Sequence, residues 1–141
     1  MKLIQMANST ATAVASGERI PLGVIDRREV CGDIDVFTTT DTTISLNRAG
    51  YYLVNVTANF TAGVAGNASI QLYEGDTPNA TAIATETATA NDSYNLSFSK
   101  VIRVFPNCCA NTTNLPKVLS IYNVGVAGTM VKFNVSVVKV N

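Results

Sequence analysis

The chain has 141 residues, with 10 Lys plus Arg, 10 Asp plus Glu, no His and no Trp. One domain of this length holds a hydrophobic core without disulfide or metal staples, and a formal net charge of zero creates no positive field to draw in nucleic acid or anionic lipid. Without His there is no His-assisted nucleophile, no His-ligated zinc and no simple neutral-pH acid–base chemistry, and without Trp the case for a sugar-stacking platform weakens.

In chain order, Met1–Asn8 is not a secretory signal, because Gln5 and Asn8 interrupt the apolar run short of the ~7–15 apolar residues a signal requires. Retention in a cytoplasm, or release by another route, is expected. Asp26-Arg27-Arg28-Glu29 is a mixed charge cluster, read as a solvated turn, with inter-subunit ion pairs or a held carboxylate as the sharper alternatives. Asp33 and Asp35 lie two apart and would share a strand face. No Asp-rich loop supplies the ~6–8 oxygens of a calcium site, so they read as solvated strand-edge charges. Ile44 and Leu46 make a short strand that Asn47-Arg48-Ala49-Gly50 ends. Tyr52, Val54, Val56, Ala58 and Phe60 then alternate with Leu53, Asn55, Thr57 and Asn59, the period of two of a strand with one buried face.

Ser69–Tyr73 is the next strand, closed by the turn-rich Glu74-Gly75-Asp76-Thr77-Pro78. Asn79–Ala90 alternates Ala with Thr and reads as strand or loop. Leu96, Phe98, Ile102 and Val104 share one face of a long strand that Lys100 interrupts. Residues 106–116 make a loop. Leu119, Ile121 and Asn123 alternate with Val118, Ser120 and Tyr122, and Val131, Phe133, Val135 and Val137 with Lys132, Asn134 and Ser136. No window carries capped helical periodicity. Short strands with Gly, Asn and Asp turns predict an all-β, antiparallel sandwich or jelly roll in a single domain over 1–141, with residues 1–20 as an N-terminal arm or first strand on the attachment side.

Cys31, Cys108 and Cys109 are an odd count with one adjacent pair, a poor disulfide framework, and read as reduced thiols. Nine Asn-X-Ser/Thr sequons begin at Asn8, Asn55, Asn59, Asn67, Asn79, Asn91, Asn95, Asn111 and Asn134. They read as wet strand faces suited to cross-strand hydrogen bonding and flat subunit contacts. No nucleophile, base and oxyanion donor assemble into a site, Glu74 and Asp76 belong to a turn, and neither an enzyme nor a cofactor or metal is expected. With 47% hydrophobic and 14% charged residues, the chain is short of polar surface for a lone monomer. The uncharged run Ala49–Tyr73 is long enough to span a bilayer, but its alternating Asn, Thr, Ser and Gln belong to strands. Burial by other subunits is therefore expected, and no membrane partner.

The order of features then resembles a known family. Val14-Ala15-Ser16-Gly17-Glu18-Arg19-Ile20-Pro21-Leu22 precedes Thr43-Ile44-Ser45-Leu46-Asn47-Arg48-Ala49-Gly50-Tyr51-Tyr52-Leu53-Val54-Asn55-Val56, followed by Ser69–Tyr73 and the terminal strand Val131–Val140. This is similar to the jelly-roll heads of the complement-q and tumour-necrosis-factor superfamily, in its bacterial and phage branch, which includes the tips of spore-surface collagen-like glycoproteins. The resemblance implies a homotrimer with one sandwich face buried at the three-fold axis. It also implies a core strand carrying Tyr52, Val54, Val56 and Phe60, fed by a turn at Gly50, where a positive φ suits glycine. Tyr122, Phe133, Val135 and Val137 are the candidates for the axis, with ordinary intramolecular core as the other reading of the same alternation. Calcium near the axis is not carried over, since no acidic ring matches it.

The expectation that follows is a structural virion protein: a homotrimeric capsid decoration or head-fibre protein on the surface of a bacteriophage particle. It would be made in the host cytoplasm and would contact the major capsid protein or other virion proteins. The alternatives are a receptor- or glycan-binding fibre head that meets host-surface glycans, and a spore or extracellular surface trimer, which predicts a stalk or export signal.

Overall fold

The computed structural model describes residues 1–106 and 115–140. Eleven strands follow in order: β1 (Lys2–Asn8), β2 (Thr12–Val14), β3 (Val24–Glu29), β4 (Phe37–Thr39), β5 (Ile44–Leu46), β6 (Gly50–Ala62), β7 (Gly66–Glu74), β8 (Thr77–Ala88), β9 (Ser93–Val104), β10 (Lys117–Asn123) and β11 (Gly128–Lys139). There is no helix among the described residues, hence none long and apolar enough to cross a membrane.

The strands form two antiparallel sheets. Sheet A has the order β3-β1-β11-β6-β9, with β2 pairing the start of β11, and sheet B the order β4-β5-β10-β7-β8. Chain neighbours mostly fall in opposite sheets, the crossing pattern of a jelly roll. Because side chains alternate across a strand, each sheet turns one row inward. Ile4, Met6, Tyr52, Val54, Val56, Phe60, Phe133, Val135 and Val137 of sheet A meet Phe37, Ile44, Leu46, Ile70, Leu72, Leu119 and Ile121 of sheet B in one buried cluster. Edge-to-face packing of Phe37 on Tyr52, with centroids 6.1 Å apart, closes one end of it. Tyr52 is fully buried, and its hydroxyl donates to the Arg48 carbonyl oxygen at 2.6 Å, so its polar tip has the partner that burial demands.

Two glycines are required by geometry. Gly50, at the start of β6, has φ +141°. Gly23 has φ +85°, and a Cβ there would lie 2.1 Å from the Ala7 carbonyl oxygen, so only glycine lets the chain entering β3 pass this close to β1.

The structure revises several expectations. Phe133, Val135 and Val137 are 0–3% exposed within one chain. They fill the space between the sheets and cannot line a subunit axis. Asp26–Glu29 is no turn but most of β3, an edge strand whose six residues are all exposed, so no buried face marks it in the sequence. Asp33 and Asp35 lie in the β3–β4 connection, outside any strand. Of the two readings of residues 1–20, arm or first strand, residues 2–8 take the strand form, between β3 and β11. Asn79–Ala90 falls mostly within β8. Cys31 is exposed and free, while Cys108, Cys109 and the Asn111 sequon lie outside the described residues.

Lys100 stands on the inward row of β9, at the sandwich edge, and its ammonium donates to the Thr81 hydroxyl of β8. An inward-turned charge on an edge strand is a device against edge-to-edge pairing, which explains the break in that strand's apolar row.

Candidate functional site

The residues that alternate with the core make up the outer face of sheet A, and cross-strand register sorts them into rows. Leu3, Val138, Leu53 and Val101 stand side by side across β1, β11, β6 and β9. The next row is Gln5, Ser136, Asn55 and Ser99, and the one after it Ala7, Asn134, Thr57 and Ser97. Lys132, Asn59 and Asn95 complete the pattern. The face thus has an apolar band at one end and an uncharged amide and hydroxyl field beyond it.

The polar groups of this field bond to one another. Ser99 donates to Asn55 Oδ1 at 2.5 Å, Asn59 Nδ2 to Asn95 Oδ1 at 2.9 Å, and Gln5 Nε2 to Asn134 Oδ1 at 3.2 Å. Side chains already paired laterally lose little hydration when another surface covers them. Where the register of β11 against β6 shifts between Met130 and Lys132, the face dips into a depression of about 340 Å³ lined in part by Asn8, Thr57, Asn59, Asn95, Lys132 and Asn134. Four of the strand-borne sequon residues, Asn55, Asn59, Asn95 and Asn134, therefore share one face.

The outer face of sheet B differs. Lys117 and Glu74, which continue the inward rows of β10 and β7 at the end of the sandwich, form an ion pair at 2.9 Å, and the outer face carries aromatic rings. The rings of Tyr73 and Tyr122 lie 4.1 Å apart, and Arg19 Nε donates to the Tyr122 hydroxyl at 2.9 Å. Tyr122 thus sits on the opposite side of the sandwich from any surface that β11 offers. The four residues expected at one axis are divided between the core and sheet B. The surface residues of β11 are one position away: Asn134, Ser136 and Val138.

At the end of the sandwich, Asp33 accepts from Lys2 at 3.3 Å and from Arg48 at 2.9 Å. Desolvation pushes its pKa up, but the Lys2 hydrogen bond and the charges of Arg48 and Lys2 outweigh it and hold the carboxyl below its ordinary value. Burial pushes the Tyr52 phenol up to about 12, against a smaller lowering by its bond to the Arg48 carbonyl. No group of three or more His, Cys, Asp or Glu stands together among the described residues.

No family model and no curated protein matches the sequence. Solved structures do match along nearly the whole chain. The globular domain of zebrafish complement 1qA protein superposes with a TM-score of 0.69 at 8% identity, covering 100% of this chain and 98% of that one. Murine APRIL gives 0.69 at 8% identity, covering 99% and 98%. PRD1 vertex protein P5 gives 0.60 at 12% identity, covering 99% and 97%. At such identities the likeness is one of fold: the chain is an all-β, antiparallel jelly roll of the complement-q and tumour-necrosis-factor type.

Proposed function

We propose that the protein is a structural virion component, a homotrimeric capsid decoration or head-fibre protein on the surface of a bacteriophage particle. The observation that carries the trimer is the outer face of sheet A. Leu3, Leu53, Val138 and Val101 form a continuous apolar row on it, Val101 is 56% exposed in the single chain, and the amide and hydroxyl field on β1, β11, β6 and β9 carries one charge, Lys132, while Glu29 and Arg27 of the edge strand β3 and Arg103 of β9 stand at its rim. Interface centres are depleted of charge in this way, and a three-fold arrangement closes without leaving an open patch. The likeness in fold to PRD1 vertex protein P5 supports the virion part of the reading, as does a net charge of zero, which gives no positive field to draw in nucleic acid or anionic lipid.

In this reading, copies bury the sheet A face against one another, and the remaining surface meets the major capsid protein or other virion proteins. The protein is made in the host cytoplasm and assembled onto the particle there. Light scattering of the purified protein is expected to give about three times 14.9 kDa; a monomer at micromolar concentration overturns the trimer. Antibody-labelled micrographs of source particles are expected to show the label on the capsid surface, and unlabelled capsids overturn the virion role.

A further inference from the structure

Glu74, the last residue of β7, holds a lysine and an asparagine at once. Sheet B places β7 between β10 and β8, so Glu74 faces Leu119 on one side and Thr77 on the other. Lys117 stands two residues before Leu119 and Asn79 two after Thr77, diagonal positions that long side chains span. Lys117 Nζ donates to Glu74 Oε1 at 2.9 Å, and Asn79 Nδ2 donates to Glu74 Oε2 at 3.0 Å. Amine and amide thus sit side by side on the two oxygens of one partly buried carboxylate. The other end of the amide is held too. Asn79 Oδ1 accepts from the Thr81 backbone N–H and from the Thr81 hydroxyl, both at 3.2 Å. The Lys100 ammonium donates to that hydroxyl oxygen, which leaves the hydroxyl proton for Asn79.

We infer that Lys117 and Asn79 join in an intramolecular isopeptide bond, with Glu74 as the proton carrier. Glu74 takes one proton from Lys117 Nζ, and the freed lone pair attacks Asn79 Cγ. A Cγ–Nζ bond forms while the carbonyl π pair moves onto Oδ1, where the two Thr81 donors meet the developing charge. Glu74 hands its proton to Nδ2 and takes the second proton from Nζ. The Cγ–Nδ2 bond then breaks, and the departing ammonia carries that second proton away. One ammonium side chain and one primary amide become one secondary amide and one ammonium ion, with no oxidant or co-reactant. Holding both partners on a single carboxylate makes the step unimolecular, which offsets the low reactivity of an amide. The bond ties β10 to β8 across β7 and persists when the chain unfolds.

The cross-link stands on these side chains alone and requires neither the trimer nor the virion role. The test is the intact mass of the whole protein, reduced and denatured, followed by a tryptic digest. The wild-type chain is expected to weigh one ammonia less than its sequence. Trypsin should leave the chain uncut at Lys117, with segment 104–132 joined to segment 49–100. Glu74→Gln, Lys117→Arg and Asn79→Ala are each expected to keep the full sequence mass, with folding checked by circular dichroism. Thr81→Val removes one of the two donors to Oδ1 and is expected to slow bond formation about 100-fold, read as intact mass against time after synthesis. The wild-type mass and digest do not depend on any variant's folding. A folded wild-type chain at full mass would overturn the assignment. So would an ammonia loss that persists in Lys117→Arg, as a succinimide at Asn79 gives, or a Glu74→Gln protein that cross-links at the wild-type rate.

Discussion

The two faces of sheet A are built from the same strands, one residue out of phase, and they have opposite requirements. The inner row, Tyr52–Val54–Val56 against Val137–Val135–Phe133, is buried within one chain and needs shape and volume. The outer row, Leu53–Asn55–Thr57 against Val138–Ser136–Asn134, carries amides, hydroxyls and one apolar band, and needs only to lie flat and stay uncharged. The lesson is that apolarity in a strand reports burial without saying whose atoms do the burying. The core and a subunit contact have to be told apart by which row faces the second sheet.

That contrast gives an order of effects. Phe133→Ala, on the inner row, removes a ring from a filled core and is expected to cost about 3–5 kcal/mol, read as a fall in the denaturation midpoint at unchanged slope. Val101→Glu, on the outer row, puts a charge at a position that is 56% exposed in one chain. Chain folding by circular dichroism should be retained while the mass falls from that of the proposed trimer, three times 14.9 kDa, to that of one chain; a mutant still trimeric would move the interface off this face.

Tyr52→Phe comes next, at about 1 kcal/mol for the lost bond to the Arg48 carbonyl. It also changes the alkaline limb. The folded pKa is raised from 10.0 to about 12, so the fold favours the neutral phenol. Its contribution is complete below pH 10 and fades between pH 10 and 12. Melting temperature measured across that window should fall less steeply in the mutant. The smallest effect is Asp33→Asn, at an exposed cluster with Lys2 and Arg48. A carboxyl held below its ordinary value stabilises the fold above that value and stops doing so as pH falls through the folded pKa. The mutant should lose part of the acid-side slope and little at neutral pH, with the difference shrinking in salt.

Several elements were legible before any coordinates. The alternation over Tyr52–Phe60 is β6, Ser69–Tyr73 lies in β7, and the terminal alternation is β11, because a half-buried strand writes its pleat into the sequence as a period of two. The edge strand β3 was not legible, since Val24-Ile25-Asp26-Arg27-Arg28-Glu29 is exposed along its whole length and has no buried side to alternate with. The candidate face was legible in part. Asn55, Asn59, Asn95 and Asn134 stood out as uncharged wet positions, but their meeting on one sheet depends on β11 and β9 flanking β6, partners 36 and 81 positions apart in the chain for the pairs Asn59–Asn95 and Asn55–Ser136.

Local sequence was enough for the strands, their inward rows and the shortage of charge, because these depend on side-chain period and composition alone. The order of strands in each sheet was not contained in any local window. It set Phe133, Val135 and Val137 against sheet B, sent Tyr122 to the far surface, and brought Arg103 beside Tyr51. Cross-strand neighbours are chosen by how two whole sheets close over one core, and that choice is made only when the chain folds.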